Sequence, residues 1–449
     1  MSEDAPSDAE RETERRNTSK ETVFTGAVRR YLLARFCAAS AFQIQGVAVG
    51  WYVYALTNRA LDLGFVGLAM FLPAASLALV AGQAIDRFPR RRVLLAAWSV
   101  QCLTAAAIGL LALSGSGRPE TIFLLIAFYG AGRAFEQPAQ AAFLPSLVPV
   151  ASFARVTPTA SLVNQCAGMI GPALGGILFL LGAPVAFFGT VTMVGIAIAA
   201  LFSLPHAPAR PAAPLSLSGF LGGISFIRRT EAVAGAITLD LFGVFFGGAT
   251  ALLPIFARDI LMIGPLGLGL LRSAPALGAF AAGLFLTAHP LQRHVGRRML
   301  VTVAVFGAAT IAFGLSQWIV LSFAALMLVG ASDVVSVVVR STLVQTATPD
   351  AIRGRVSAVN SLFVGTSNQL GQFESGLTAE WFGTIGSVVL GGIATLIVVA
   401  VAARCFPALR KMDRFMIAPR EDDPGARDST VAAAMDAGTA RMQESTPEL

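Results

Sequence analysis

This sequence predicts an all-α integral membrane protein with twelve transmembrane helices, arranged as two pseudo-symmetric six-helix bundles. Three observations predict it. Hydrophobic residues make up 55% of the 449 residues and charged ones only 13%, more apolar surface than one soluble core hides. The apolar residues fall in stretches that match a bilayer's hydrocarbon core, which takes about 20 helical residues. The stretches also form two sets of six that share residues in register.

Residues 1–28 are a polar cytoplasmic tail without the apolar region of a cleavable signal peptide. Apolar length and helix breakers then set six spans within residues 29–204: Tyr31–Leu56, Leu63–Ile85, Val93–Leu113, Thr121–Phe143, Thr157–Leu181 and Pro184–Leu204. Residues 205–231 form a linker. It begins with a stiff Pro-rich run from Pro205. Leu217, Phe220, Leu221, Ile224 and Ile227 then recur at helical spacing and end in Arg228 and Arg229, which predicts an amphipathic helix on the cytoplasmic surface. Six further spans occupy residues 232–406: Ala232–Leu253, Gly264–Leu286, Met299–Leu315, Trp318–Val339, Val356–Trp381 and Ile385–Ala403. Residues 407–449 are a polar cytoplasmic tail, largely disordered.

The halves repeat each other. Gly67, Leu68, Pro73 and Ala74 align with Gly269, Leu270, Pro275 and Ala276, and Pro149, Arg155, Val156, Ser161 and Leu162 align with Pro349, Arg355, Val356, Ser361 and Leu362. Two matches from different parts of the half agree on an offset of about 200 residues, as a parallel duplication requires.

Orientation follows from arginine. One set of loops holds Arg29, Arg30, Arg87, Arg90, Arg91, Arg92, Arg228, Arg229, Arg297, Arg298 and Arg353, whereas the other holds little beyond Arg59, Arg118 and Arg258. Basic loops stay inside, so both termini are expected in the cytoplasm. Trp51, Tyr52, Tyr54, Trp318 and Trp381 are expected as an aromatic belt at the outer interface.

Composition also excludes. The net charge of +7 comes from arginines between apolar spans, so no nucleic-acid partner is expected. Cys37, Cys102, Cys166 and Cys405 show no CxxC spacing, and the three histidines form no ligand cluster, so neither a metal nor a disulfide framework is expected. No GxxxxGK[ST] loop occurs, which disfavours a nucleotide-driven pump unless a separate subunit supplies the motor. No catalytic constellation supports an enzyme, and no cofactor is implied.

Gly82-x-x-x-Asp86-Arg87-x-x-Arg90-Arg91-Arg92 resembles the loop 2–3 signature, motif A, of the major facilitator superfamily, with Phe88-Pro89 replacing the usual x-Gly. Ala34-Arg35-Phe36, Asp240-Leu-Phe, Leu253-Pro-Ile-Phe-Ala-Arg258-Asp259 and Thr348-Pro-Asp350-x-x-Arg353-Gly-Arg355-Val are similar to its bacterial efflux branch of enterobactin exporters and macrolide efflux proteins. The resemblance runs from about Arg29 to Arg410. It implies transport by alternating access in the bacterial cytoplasmic (inner) membrane. It also implies that Gly82, Asp86, Arg87, Arg90 and Arg91 form a conformational latch, with Asp86 facing the start of span eleven near Arg355, Val356 and Ser357. A carboxylate at a helix N-terminus is stabilised by about 0.3–2 kcal/mol. Ordinary topogenic charge is the bland alternative. Gly171, Pro172, Gly175 and Gly176 are similar to the antiporter signature, motif C, with Ala167 where the family places Gly. Generic small-residue packing is the alternative there.

Ionisable residues inside apolar spans each cost at least about 2.5 kcal/mol at a helix centre, so they face a cavity or a partner. The resemblance implies that spans one, four, seven and ten line the central cavity. Asp240 and Glu136 are the proton-coupling candidates, because desolvation favours a protonated acid. Arg133, Asp333, Arg272, Asn368, Gln369, Gln372 and Glu374 are the cavity and substrate candidates. Two bland readings stand beside these: an Arg133–Glu136 pair on one helix face, and neutralisation of Asp240 by Arg272. The expected function is export of a small organic solute (siderophore, drug or metabolite) by proton antiport. The expected partners are that solute, protons and membrane lipid, and the expected unit is a monomer. An importer or uniporter of the same fold, and a non-transporting membrane sensor or scaffold, remain the alternatives.

Overall fold

The computed structural model describes residues 25–148, 150–204 and 217–415. Span one is a helix over Gly26–Thr57, opened by the Thr25 side chain, which accepts the Val28 amide at 3.4 Å, and closed by Asn58 in the left-handed conformation. Spans two to six follow as Ala60–Arg87, Arg90–Ser114, Pro119–Leu147, Val150–Leu180 and Ala183–Phe202. Most helices overrun the predicted apolar limits, because the backbone ladder continues through polar turns at the membrane surface. Residues 1–24, residues 205–216 and the tail from 416 lie outside the described residues.

The amphipathic helix runs Leu217–Arg229. A Cβ on its Gly223 would meet the Arg355 carbonyl at 3.1 Å, so it packs against the start of span eleven as well as lying at the surface. Span seven runs Glu231–Phe246 and then breaks at Gly247 and Gly248. It continues as a 3-10 turn over Ala249–Leu252, a short turn Leu253–Ile255 and a π-turn Phe256–Ile260. Arg258, expected in an outer loop, lies in that π-turn. Spans eight to ten are Gly264–Ala288, Val295–Leu315 and Ile319–Ala347. Spans eleven and twelve, Asp350–Cys405, are two helices folded back on each other, Ser387 Oγ donating to the Ser375 carbonyl at 3.0 Å, and joined at Gly383 with φ 74. That conformation suits glycine, and it divides the spans where the sequence divides them. Pro407–Lys411 is a last short helix.

Ten helices among the described residues are long and apolar enough to cross a bilayer. The stretch Asp350–Cys405 contains two spans, and span four, diluted by Arg133 and Glu136, is the twelfth crossing.

Packing repeats between the halves. Span one lies against five and six, two against four, and three against four and six. Correspondingly, seven lies against the eleven–twelve pair, eight against ten, and nine against ten and that pair. Glycine allows the closest approaches. A Cβ on Gly130 of span four would collide with the Met70 carbonyl of span two, and one on Gly330 of span ten would collide with the Pro275 carbonyl of span eight. Each half buries its own core, with Tyr31, Leu94, Trp98 and Phe143 in the first and Val233, Met299, Leu343 and Val356 in the second. Burial of each such side chain contributes about 1.5–3 kcal/mol where water is the alternative.

The halves meet along two seams, span two on span eleven and span five on span eight. Gly64 lies against the backbone of Phe373 and Gly376, and Gly176 against Pro265, Leu266 and Gly269. Among the described residues, the close contacts across the seams lie between the membrane middle and the end opposite the arginine run of residues 90–92. Gln165 Nε2, which donates to the Ala276 carbonyl at 2.6 Å, marks the middle.

Candidate functional site

Three groups of polar residues lie inside the bundles. The first lines a central cavity of about 70 Å³ between the halves, bounded by Gln45, Gly46, Tyr129, Arg272, Gln369 and Gln372 among others. Arg272 of span eight donates from Nη1 to the Gly46 carbonyl of span one at 3.0 Å. Its guanidinium lies where a Gly46 side chain would be, with Nη2 at 2.8 Å from that Cβ position. The alternative that Arg272 neutralises Asp240 is therefore corrected. Arg272 turns toward span one, and another residue pairs with Asp240.

That residue is Arg340. Its Nε lies 3.3 Å from Asp240 Oδ2, both side chains being buried, and Ser336 Oγ donates to Asp240 Oδ1 at 2.9 Å. Arg340 Nη1 also donates to Asn360 Oδ1 of span eleven at 2.9 Å. Asp333 lines the same small cleft with Asp240, Ser332 and Ser336. Asp240 thus holds the guanidinium, and Asp333 stands in the cleft with no ion pair of its own among the described residues. Sequence reasoning missed Arg340 because the predicted span ten stopped at Val339. The signal was present nonetheless: Asp333, Ser336 and Arg340 are spaced by three and four and share one helix face.

The third group lines a cavity of about 400 Å³ on the arginine-rich side of span four, with Arg35, Gln43, Arg133, Glu136, Gln140 and Asn164 on its wall. Glu136 is buried and fully engaged. It accepts Gln101 Nε2 at 2.7 Å, Arg133 Nη1 at 2.8 Å and Gln140 Nε2 at 2.7 Å. Arg133 also lies 4.1 Å over the Phe42 ring. The bland reading of a mutual Arg133–Glu136 pair thus describes their geometry. Arg35 Nε donates to Asn164 Oδ1 at 3.0 Å.

Other expected residues fall elsewhere. Asn368 donates to its own helix at the Val364 carbonyl, 2.9 Å away, and Glu374 lines none of these three cavities. Within the motif A loop, Arg90 Nη1 donates to the Ala142 carbonyl at 2.9 Å. Arg91 is buried and donates to the carbonyls of Leu204 at 2.9 Å and Phe202 at 2.6 Å. These two arginines tie the loop to the ends of spans four and six, within their own half. Gly82 has open space around it, and Arg87 is exposed. Asp86 ends span two, but its side chain lies outside the described residues. In the motif C stretch, Gly171 and Gly175 face span one at Gln43 and Ile44, and Gly176 faces span eight.

At the opposite end a polar clasp joins the halves. The Tyr54 hydroxyl donates to the Asp259 carboxylate. Arg258 Nη1 donates to the Tyr54 carbonyl at 3.3 Å and sits 5.3 Å over its ring. Arg59 pairs with Glu380 at 3.4 Å. Tyr54, expected in the aromatic belt, is instead only 7% exposed, because the span-seven π-turn covers it. Trp318 and Trp381 are exposed at this end, as belt residues are.

Two repeated six-helix bundles meeting around a polar cavity define a membrane transporter of the major facilitator fold. The chain belongs to the major facilitator superfamily, in the family described as transmembrane secretion effectors, whose model matches residues 23–438. It is 26% identical over 380 residues to the enterobactin exporter EntS of Escherichia coli, covering 83% of this chain and 90% of that one. It is also 26% identical over 414 residues to the multidrug efflux pump Tap of Mycobacterium tuberculosis, covering 87% and 95%. Among solved structures, a bacterial homologue of the lysosomal transporter Spinster, inward-facing and unoccupied, superposes with TM-score 0.69 at 14% identity, covering 86% of this chain and 98% of that one. The nucleoside transporter NupG superposes with TM-score 0.65 at 16% identity, covering 86% and 100%. The protein is thus a multi-pass membrane transporter and not an enzyme.

Proposed function

We propose that this transporter exports a small organic solute from the cytoplasm by alternating access, in exchange for protons. The distribution of contacts between the halves carries the reading. They concentrate from the membrane middle to the clasp of Tyr54, Asp259 and Arg258, while the larger polar cavity lies toward the arginine-rich end. Arginine-rich loops stay inside, so that end is cytoplasmic and the clasp is an outer gate. The exporter relatives agree in direction, and a siderophore, a drug or a metabolite suits the mixed lining.

Proton coupling rests in this reading on Asp240, Asp333 and Arg340. Two carboxylates and one guanidinium leave one net negative charge, so one proton makes the cluster neutral. Asp240 keeps Arg340 and Ser336 as partners, which leaves Asp333 as the acid that gains and loses the proton. Glu136, held by three donors, acts as a fixed brace. Asp86 is the latch of the opposite state, drawn to the start of span eleven when the cytoplasmic side closes.

Efflux from proteoliposomes tests the reading. Outward movement should accelerate when the receiving side is acidified, and Asp86→Asn should slow it. Transport independent of the pH gradient would overturn proton exchange, and normal transport in Asp86→Asn would remove the latch.

A further inference from the structure

Arg272 is a cation inside the membrane with no anion. Its only hydrogen bond among the described residues goes to the Gly46 carbonyl, and no carboxylate lines the cavity it faces. A charge so placed costs several kcal/mol unless something compensates it. Two other arginines inside the spans do have acids: Arg133 has Glu136, and Arg340 has Asp240.

The neighbours of Arg272 share its condition. Gln45 of span one is 3% exposed, and neither its Oε1 nor its Nε2 has a hydrogen-bond partner. Tyr129 of span four is 1% exposed, and its hydroxyl has none. Both line the cavity that Arg272 faces. Buried polar groups are ordinarily satisfied, and two unsatisfied side chains beside a cation without an ion pair in one cavity mark a place that receives a ligand. The donors available are a guanidinium, an amide N–H and a phenol O–H. All three serve an oxyanion.

We propose that Arg272, Gln45 and Tyr129 form an anion subsite, and that the transported solute carries a carboxylate or acidic phenolate that docks there. The inference rests on the transporter reading and names its substrate class. The cavity of about 70 Å³ holds a headgroup rather than a whole drug-sized molecule, so the remaining body extends toward the cytoplasmic side. Met70, Val66, Ile126 and Pro254 give that headgroup an apolar collar, which suits an aromatic acid. The subsite also spans both halves, since Arg272 belongs to the second and Gln45 and Tyr129 to the first. An oxyanion there competes with the Gly46 carbonyl for Arg272.

Fluorescein and rhodamine 123 share one ring scaffold and carry opposite charge, which makes them the probes. Fluorescence polarisation with the full-length protein in detergent should show fluorescein binding about tenfold or more tighter, the size of one charge-assisted hydrogen bond. Arg272→Gln should remove that preference, and Arg272→Lys should keep part of it. Gln45→Leu should weaken fluorescein alone. Arg272→Gln should melt at or above the wild-type temperature, because it deletes an uncompensated charge. Equal binding of the two probes by the wild type, or an unchanged preference in Arg272→Gln, overturns the subsite. A fall of several degrees in its melting temperature assigns Arg272 to holding spans one and eight together, and overturns it as well. Dye efflux from cells separates the two readings. Export of rhodamine 123 without any anion preference sinks the subsite alone, whereas failure to export either dye counts against the transporter reading whatever the binding shows.

Discussion

Arg340 ties span ten to spans seven and eleven. It faces Asp240 at 3.3 Å and donates to Asn360, while Asp333 shares the cleft. Removing one partner of a buried pair leaves an uncompensated charge and costs about 3–5 kcal/mol. Arg340→Gln should therefore destabilise the protein by that amount in chemical denaturation. The loss should be smaller at acidic pH, where protonation neutralises the stranded carboxylates, and largely relieved in Asp240→Asn/Arg340→Gln. An undiminished loss in the double variant would show that Arg340 acts through Asn360. The sequence displayed this cluster only in part. Asp240 and Asp333 stand out as acids in apolar runs, but Arg340 lies one residue beyond the expected end of its span. Hydropathy finds where a helix becomes polar, not where its backbone stops. The partner of Asp240 likewise comes from span ten rather than from Arg272, because helix adjacency is a property of packing that composition does not encode.

At the scale of helices, glycine sets which surfaces touch. A Cβ on Gly176 would stand 2.7 Å from the Pro265 carbonyl, too close for any side chain without separating spans five and eight. Gly176→Val should lower the melting temperature by overpacking, at a cost of about 1–3 kcal/mol, and reduce transport. Wild-type stability and transport in that variant would show the seam to be loose. Motif C was legible as close packing, but its division of labour was not, since Gly171 and Gly175 serve span one. The clasp was hidden more deeply. Tyr54 read as a belt residue and Arg258 as an outer-loop charge, and only the break of span seven after Gly247 turns the π-turn over Tyr54. Tyr54→Phe with Asp259→Asn should open the outer gate more often. A single cysteine placed at Gly50 should then label faster with a membrane-impermeant maleimide added outside. Labelling at the wild-type rate would relieve the clasp of that role.

For the whole molecule, the duplication carried most of what the sequence could convey. Residues about 200 apart, such as Pro73 and Pro275, occupy the same turn of equivalent helices, and equivalent glycines at 130 and 330 seat those helices on their neighbours. The twelve crossings follow from apolar length, and only the tight junction of spans eleven and twelve and the polar residues of span four blur the count. What the sequence could not give is the relation between the halves, because one sequence serves both the inward-open and the outward-open arrangement. Proton-driven rocking of those halves is the central claim, and one measurement bears on it most directly. The solute that most stabilises the purified protein in a thermal-shift panel would be loaded into proteoliposomes and followed under an imposed pH gradient. The wild type should move it faster toward the acidic compartment, and Asp333→Asn should move it at one rate whatever the gradient. A wild type indifferent to the gradient, or an Asp333→Asn variant that still follows it, would contradict the account.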